Sequence, residues 1–188
     1  IMSHSTVLNN QRLSIKTQVL ATIGAVAGAV VLPQLCHFLG AVLGIGSSVG
    51  EMFLPMHLTI ILVGLLAGPY AGACAGLLSP LLSFAISGMP IPAKLPFMML
   101  ELFGYGLSAG LLRNVNLPSL AKVLISQFAG RIVRAVAILA AVYLFANESM
   151  AVASIWRSIP VGIWGLAFQW IFIPLIVYRV EKRKRNNE

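Results

Sequence analysis

The sequence predicts an all-α integral membrane protein with six transmembrane helices and both termini on the cytoplasmic side. Three observations carry that expectation: the scarcity of charge, the length of the uncharged runs and the placement of the basic residues. Of 188 residues, 59% are hydrophobic and only 10% are charged, with a mean hydropathy of +0.91. A water-soluble domain of this size needs far more charge on its surface. A bilayer core of roughly 30 Å takes about 20 helical residues per crossing, which leaves room for about six crossings joined by short loops.

The basic residues set the orientation. Nine of the thirteen fall in an N-terminal segment (Arg12, Lys16), one central loop (Arg113, Lys122) and a tail (Arg179, Lys182, Arg183, Lys184, Arg185). Cytoplasmic loops collect Lys and Arg, and two basic ends demand an even number of crossings. With six, the Arg113/Lys122 loop also falls inside, and Lys94 and Arg157 are the bases of the external loops. The net charge of +8 would suit a nucleic-acid partner in a soluble chain. Here its location assigns it to topology, and no nucleic acid is expected. The tail also suits anionic lipid, at about 1 kcal/mol per basic residue. One membrane domain therefore covers residues 1–188: a cytoplasmic segment of about 1–18, a six-helix bundle over 19–178 and a basic tail over 179–188. The polar stretch before Val19 does not read as a cleaved signal peptide, because the apolar run after it is full length and no clear cleavage site follows. Cys36 and Cys74 lie in different apolar runs and form no CxxC pair.

Along the chain the first run is Val19 to Phe38, interrupted by Pro33, followed by a Gly/Ser-rich stretch that ends at Glu51. The second, Phe53 to Ala67, closes at Gly68-Pro69-Tyr70-Ala71-Gly72, a turn signal. The third, Ala73 to Ser87, stops at Gly88-Met89-Pro90. Runs two and three are short for a full crossing, and tilt, extension into the loops or burial by neighbours would accommodate them. The fourth, Leu95 to Leu112, contains Glu101; the fifth, Leu120 to Phe145, contains Arg131 and Arg134. The last, Ile155 to Tyr178, carries Pro160 and Pro174.

Two constellations stand out. The first helix repeats Ala21, Ala25 and Ala29 at four-residue spacing, with Gly24 and Gly28 beside them. Small residues on one face let another helix approach closely, either from the same chain or from a partner. Glu101, Arg131 and Arg134 lie within apolar runs, where each costs at least roughly 2.5 kcal/mol unless paired or wet. Counting along the helices puts Glu101 roughly 9 Å, Arg134 roughly 17 Å and Arg131 roughly 21 Å below the outer ends. A Glu101–Arg134 pair would tie two helices together. Two arginines against one glutamate leave a positive charge to meet a carboxylate or phosphate, unless Arg131 reaches cytoplasmic water by snorkelling. Glu51, His57, Lys94, Trp156 and Trp164 gather towards the outer ends; Trp156 suits an interfacial belt, and Trp164 lies deep enough to line a pocket. Cys36, His37 and His57 show no metal-ligand spacing. HExxH and Walker A sequences are absent, and no enzymatic activity is expected.

Several segments together suggest a family: Gly50-Glu51-Met52-Phe53-Leu54-Pro55-Met56-His57, Gly64-Leu65-Leu66-Ala67-Gly68-Pro69-Tyr70-Ala71-Gly72, Gly76-Leu77-Leu78-Ser79-Pro80, and Leu95-Pro96-Phe97-Met98-Met99-Leu100-Glu101-Leu102-Phe103-Gly104-Tyr105-Gly106. In their order and in the six-helix length, the chain resembles the substrate-binding S component of an energy-coupling factor (ECF) vitamin transporter. The resemblance implies a bacterial plasma membrane, a transmembrane coupling protein and two ATP-binding-cassette ATPases, which would hold ATP and Mg while this chain holds no cofactor. It implies docking through Ala21, Ala25 and Ala29, with Gly24 and Gly28 alongside. Capture from outside would be followed by toppling of the subunit as ATP is used. Pantothenate suits the positive pocket, with Lys94, Arg131 and Arg134 towards its carboxylate. Glu101, Tyr105, Gln127 and Asn147 would serve its hydroxyls and amide. Cobalamin, with Cys36 or His57 as a cobalt ligand, pyridoxine and a thiamine precursor are the alternatives. A scaffold protein that binds no solute is the alternative from another class.

Overall fold

Proline and glycine set most of the helix boundaries. The computed structural model describes residues 13–44, 54–145 and 152–186, which form helices and turns with no strand among them. The helices are α1 (Ile15–Val42), α2 (Pro55–Ala67), α3 (Pro69–Ser87), α4 (Leu95–Leu112), α5 (Ser119–Phe145), α6 (Ser154–Val161) and α7 (Ile163–Asn186). Prolines open α2 and α3 and occupy the first turn of α4, where a missing N–H costs nothing. Gly88, at φ +71°, ends α3 in the left-handed conformation that glycine takes without strain. Ser14 caps α1 by accepting from the Thr17 amide.

Five helices, α1, α3, α4, α5 and α7, are long and apolar enough to cross a membrane. The remaining apolar run, α2, has 13 residues, about 20 Å of helix against a hydrocarbon core of roughly 30 Å. Its neighbours account for its composition. Eight of its thirteen residues are buried, and it packs against α1, α3, α4 and α7 at the centre of the bundle. A helix walled in on every side needs no polar face. Ile60, Ile61 and Leu65 of α2 join Ala29 of α1, Ala75 of α3, Leu102 and Tyr105 of α4, and Ile173 of α7 in one core.

Backbone contact holds α4 between α3 and α5. A Cβ at Gly72 or Gly106 would run into the other's backbone, one at Gly76 would strike Leu102, and one at Gly104 would lie 2.9 Å from the Cα of Gly130. Gly64 brings α2 to the same place, 2.6 Å from the Gly106 carbonyl oxygen by the same measure. These contacts run α3 and α5 antiparallel to α4 and α2 parallel to it. One end of the bundle therefore holds the starts of α2 and α4, and the opposite end holds their finishes with the starts of α3 and α5.

Four expectations change. The glycine-proline stretch 68–72 is not a loop: only Gly68, at φ +105°, lies between α2 and α3, and Gly72 is a packing residue inside α3. Pro33 does not interrupt α1, which continues to Val42 with Pro33 buried; membrane helices tolerate the lost hydrogen bond when neighbours enclose it. The last apolar run is two helices, broken at Gly162 into the short α6 and the long α7. The basic tail does not stand apart from the bundle, because α7 carries it as helix to Asn186.

Replacing Gly106 by Leu is expected to destabilise the detergent-purified protein by at least about 2 kcal/mol, through overpacking against α3. Gly24→Leu on α1, where an added Cβ meets nothing within 4 Å, is expected to stay within about 0.5 kcal/mol. Thermal unfolding of the two variants checks the pair, and equal melting temperatures would contradict the packing described.

Candidate functional site

Glu101 and Tyr105 stand one turn apart on α4, on the face turned to α2 and α5. Glu101 is 3% exposed and Tyr105 1%. A carboxylate so enclosed persists only when its oxygens are satisfied. Tyr105 Oη donates to Glu101 Oε1 at 3.0 Å, and Arg134 Nη1 of α5 donates to Oε2 at 2.9 Å. His57 of α2 places its Nε2 4.0 Å from Glu101 Oε1 and its ring edge-on to Tyr105, with centroids 5.2 Å apart. Gly130 makes the arrangement possible. A Cβ there would lie 2.7 Å from the Glu101 carbonyl oxygen, so only glycine lets α5 come close enough for Arg134 to reach across.

Counting from helix ends had put Glu101 and Arg134 at different depths. The structure puts them in contact, because α5 rises well past the first residue of α4. Arg131, one turn from Arg134 and partly exposed, lies within electrostatic reach of His57 and Tyr105. The centre thus holds one carboxylate and two guanidinium groups. Two buried atoms in it have no hydrogen-bond partner, His57 Nδ1 and Arg134 Nε. Such atoms are uncommon in folded proteins and point to a group that an additional polar molecule would satisfy.

Gln127 lies one turn from Arg131 towards the opposite end, within a chain of amides. Trp170 Nε1 donates to Gln127 Oε1 at 2.8 Å, Gln127 Nε2 to Gln169 Oε1 at 3.0 Å, and Gln169 Nε2 to the Leu54 carbonyl oxygen at 3.3 Å. Gln169, 1% exposed, escaped the sequence reading, although an uncharged polar residue inside an apolar run was the available sign. Lys94 is exposed at the start of α4, about 10 Å along the helix from Glu101. Trp164 does not line the centre: it is 64% exposed on α7, because the buried face of that helix belongs to Gln169, Ile173 and Val177. Glu51 and Asn147 lie outside the described residues.

The small-residue face of α1 divides. Ala29 is fully buried, and Ala21 and Ala25 pack partly against the core, so these alanines face this chain's own helices. A Cβ at Gly28 would touch Thr59 of α2 at 3.3 Å. Gly24 is exposed with open space around it, and with exposed Leu20, Ile23 and Val31 it forms the outward notch of the helix.

The family model for the substrate-specific component of ECF transporters matches residues 14–177, most of the chain and every one of these side chains. Comparison with curated proteins and with solved structures finds no match.

Glu101→Leu leaves the half-buried Arg134 without its counter-charge and is expected to cost about 2 kcal/mol or more. The double variant Glu101→Leu/Arg134→Met, which removes both charges, is expected to recover most of that loss. Melting temperatures of the wild type, both single variants and the double variant check the coupling; strictly additive losses would mean that the pair does not interact.

Proposed function

The chain belongs to the family of ECF transporter substrate-specific components, and from that membership we propose that it captures an anionic water-soluble vitamin, with pantothenate the best candidate, at the centre formed by His57, Glu101, Tyr105, Arg131 and Arg134. Membership makes it a vitamin-binding transport subunit rather than an enzyme, and implies association with a coupling protein and ATPases that supply the energy.

The observation that carries the anionic reading is the count of charges. Glu101 neutralises Arg134 through a direct bond; Arg131, on the same face of α5, has no carboxylate paired with it among the described residues. A bound carboxylate would balance it through charge-assisted hydrogen bonds. A vitamin with hydroxyl and amide groups would in addition offer partners to His57 Nδ1 and Arg134 Nε, the two buried atoms left open. A neutral vitamin would satisfy those atoms and leave the second guanidinium unbalanced. Entry from the external face, where α2 and α4 begin, fits the positions of these residues and the positive-inside distribution of the loops.

Docking to the coupling protein follows a different surface from the alanine face. Ala29 is enclosed, whereas Gly24 is open and flanked by exposed apolar side chains, the form that a partner helix can approach closely. In this reading Gly24 takes the role that the resemblance assigned to Ala21, Ala25 and Ala29.

Native mass spectrometry of the detergent-purified chain from rich medium is expected to show one retained pantothenate, without ATP. Arg131→Gln is expected to weaken its binding at least tenfold, about 1.4 kcal/mol. A different retained vitamin, with Arg131→Gln unaffected, would return both arginines to a structural role. Gly24→Leu is expected to abolish uptake in the complete transporter while binding by the isolated subunit is unchanged; normal uptake would exclude this notch as the docking surface.

A further inference from the structure

At the end of the bundle opposite Glu101, a second arginine is enclosed by protein. Arg113 follows the last residue of α4, is 7% exposed, and has a buried Nε with no hydrogen-bond partner. Its neighbour Lys122, in the first turn of α5, is 3% exposed but provided for: Nζ donates to the Arg113 carbonyl oxygen at 2.9 Å, and Glu181 of α7 lies within electrostatic reach. Arg113 has no such carboxylate among the described residues. Desolvation lowers its pKa from the ordinary arginine value, with no acidic group opposing it.

Packing holds the guanidinium there. Gly110 brings the end of α4 into backbone contact with Gly68 and Pro69. Arg113 Nη1 then lies 3.7 Å from where a Gly68 Cβ would be, over the corner that separates α2 from α3. The first amides of the 19-residue α3 open at the same corner, and a helix N-terminus favours negative charge. The last carbonyls of α2 also reach it, but their partial charges do not replace a counter-ion.

We propose that Arg113, at the corner formed by Gly68 and the start of α3, binds a phosphate oxyanion, supplied in the membrane by the headgroup of an anionic phospholipid. The rim of this corner fits a lipid. Tyr70, Leu111 and Val115 are 78%, 63% and 41% exposed, and these apolar surfaces suit acyl chains beside a headgroup. The end of α7 comes within electrostatic reach of Lys122 through Glu181, with Arg179, Lys182 and Arg183 exposed on it. The described bases at this end thus outnumber its described carboxylate, and an anionic leaflet attracts such a cluster. The site is separate from the vitamin centre and does not depend on it.

The test is native mass spectrometry of the full chain released from bilayers containing equal phosphatidylglycerol and phosphatidylcholine. One phosphatidylglycerol is expected to be retained, at least tenfold in excess over phosphatidylcholine. Arg113→Gln is expected to remove that preference and Arg113→Lys to keep part of it. No preference in the wild type, together with no thermal stabilisation by inorganic phosphate, would overturn the proposal without recourse to any variant. A preference that survives Arg113→Gln but is lost in Lys182→Gln/Arg183→Gln would also overturn it, assigning the lipid to α7 instead. Inorganic phosphate added to lipid-free protein separates the sources. Thermal stabilisation that requires Arg113, without lipid retention, would support the oxyanion site and make its ligand soluble phosphate.

Discussion

Close backbone approach to α4 is the constraint from which the rest of the molecule follows. Within a bilayer, apolar side chains gain little by leaving lipid for one another, so helices associate through fine packing and polar contacts. On one flank of α4, Gly72 and Gly76 of α3 meet Gly106 and Leu102; on the other, Gly130 of α5 meets Gly104 and the Glu101 backbone. Contacts of that kind leave no freedom to slide, because a shift of one residue would drive a side chain into a backbone. They therefore fix the axial register of three helices at once. That register sets Arg134 level with Glu101 at one end of the bundle and Arg113 against Gly68 at the other.

The polar network depends on this register and in turn specifies it. A buried ion pair is a poor source of net stability, since desolvation offsets most of the attraction, but it is costly to misalign. Glu101 accepts from α4 and α5 and lies beside His57 of α2, so one carboxylate relates three helices. The amide chain through Trp170, Gln127, Gln169 and the Leu54 carbonyl does the same for α2, α5 and α7 without any charge. Helix α2, too short to be positioned by the bilayer, is thereby held at its first turns by polar bonds and along its length by burial.

The apolar runs and their proline and glycine borders made the helices legible, because those features act locally. Run four matches α4 at both ends, and run five misses the start of α5 by one residue. What depends on distant contacts was not legible. Gly72 reads as a turn residue unless Gly106 is known to face it, and the inward direction of Ala29 follows from the position of α2 rather than from its own spacing. The Glu101–Arg134 pair was foreseeable from charge alone, yet depth counting separated the partners because helix ends are not level references. Gln169 carries no charge and belongs to no motif, so only its burial beside Gln127 marks it. Trp164 was placed inward by its depth along the run, whereas orientation around the helix decides exposure.

Five acidic residues serve thirteen basic ones in this chain, and that shortage acts where burial makes it matter. Exposed bases such as Lys182 and Arg183 are solvated and need no partner. Arg113 is withdrawn from water and Arg131 partly so, each beside a polar group that is already supplied: Arg134 by Glu101, and Lys122 by the Arg113 carbonyl and Glu181. Guanidinium groups cannot shed their charge as a buried lysine can. Among the described residues no carboxylate balances the excess at either end, and the surroundings of the two ends differ. Towards the start of α4 the arginines are joined by a tyrosine, a histidine and amides, groups that can orient a polar solute. At its finish the arginine is bordered by exposed Tyr70, Leu111 and Val115, and acyl chains satisfy that border better than water does.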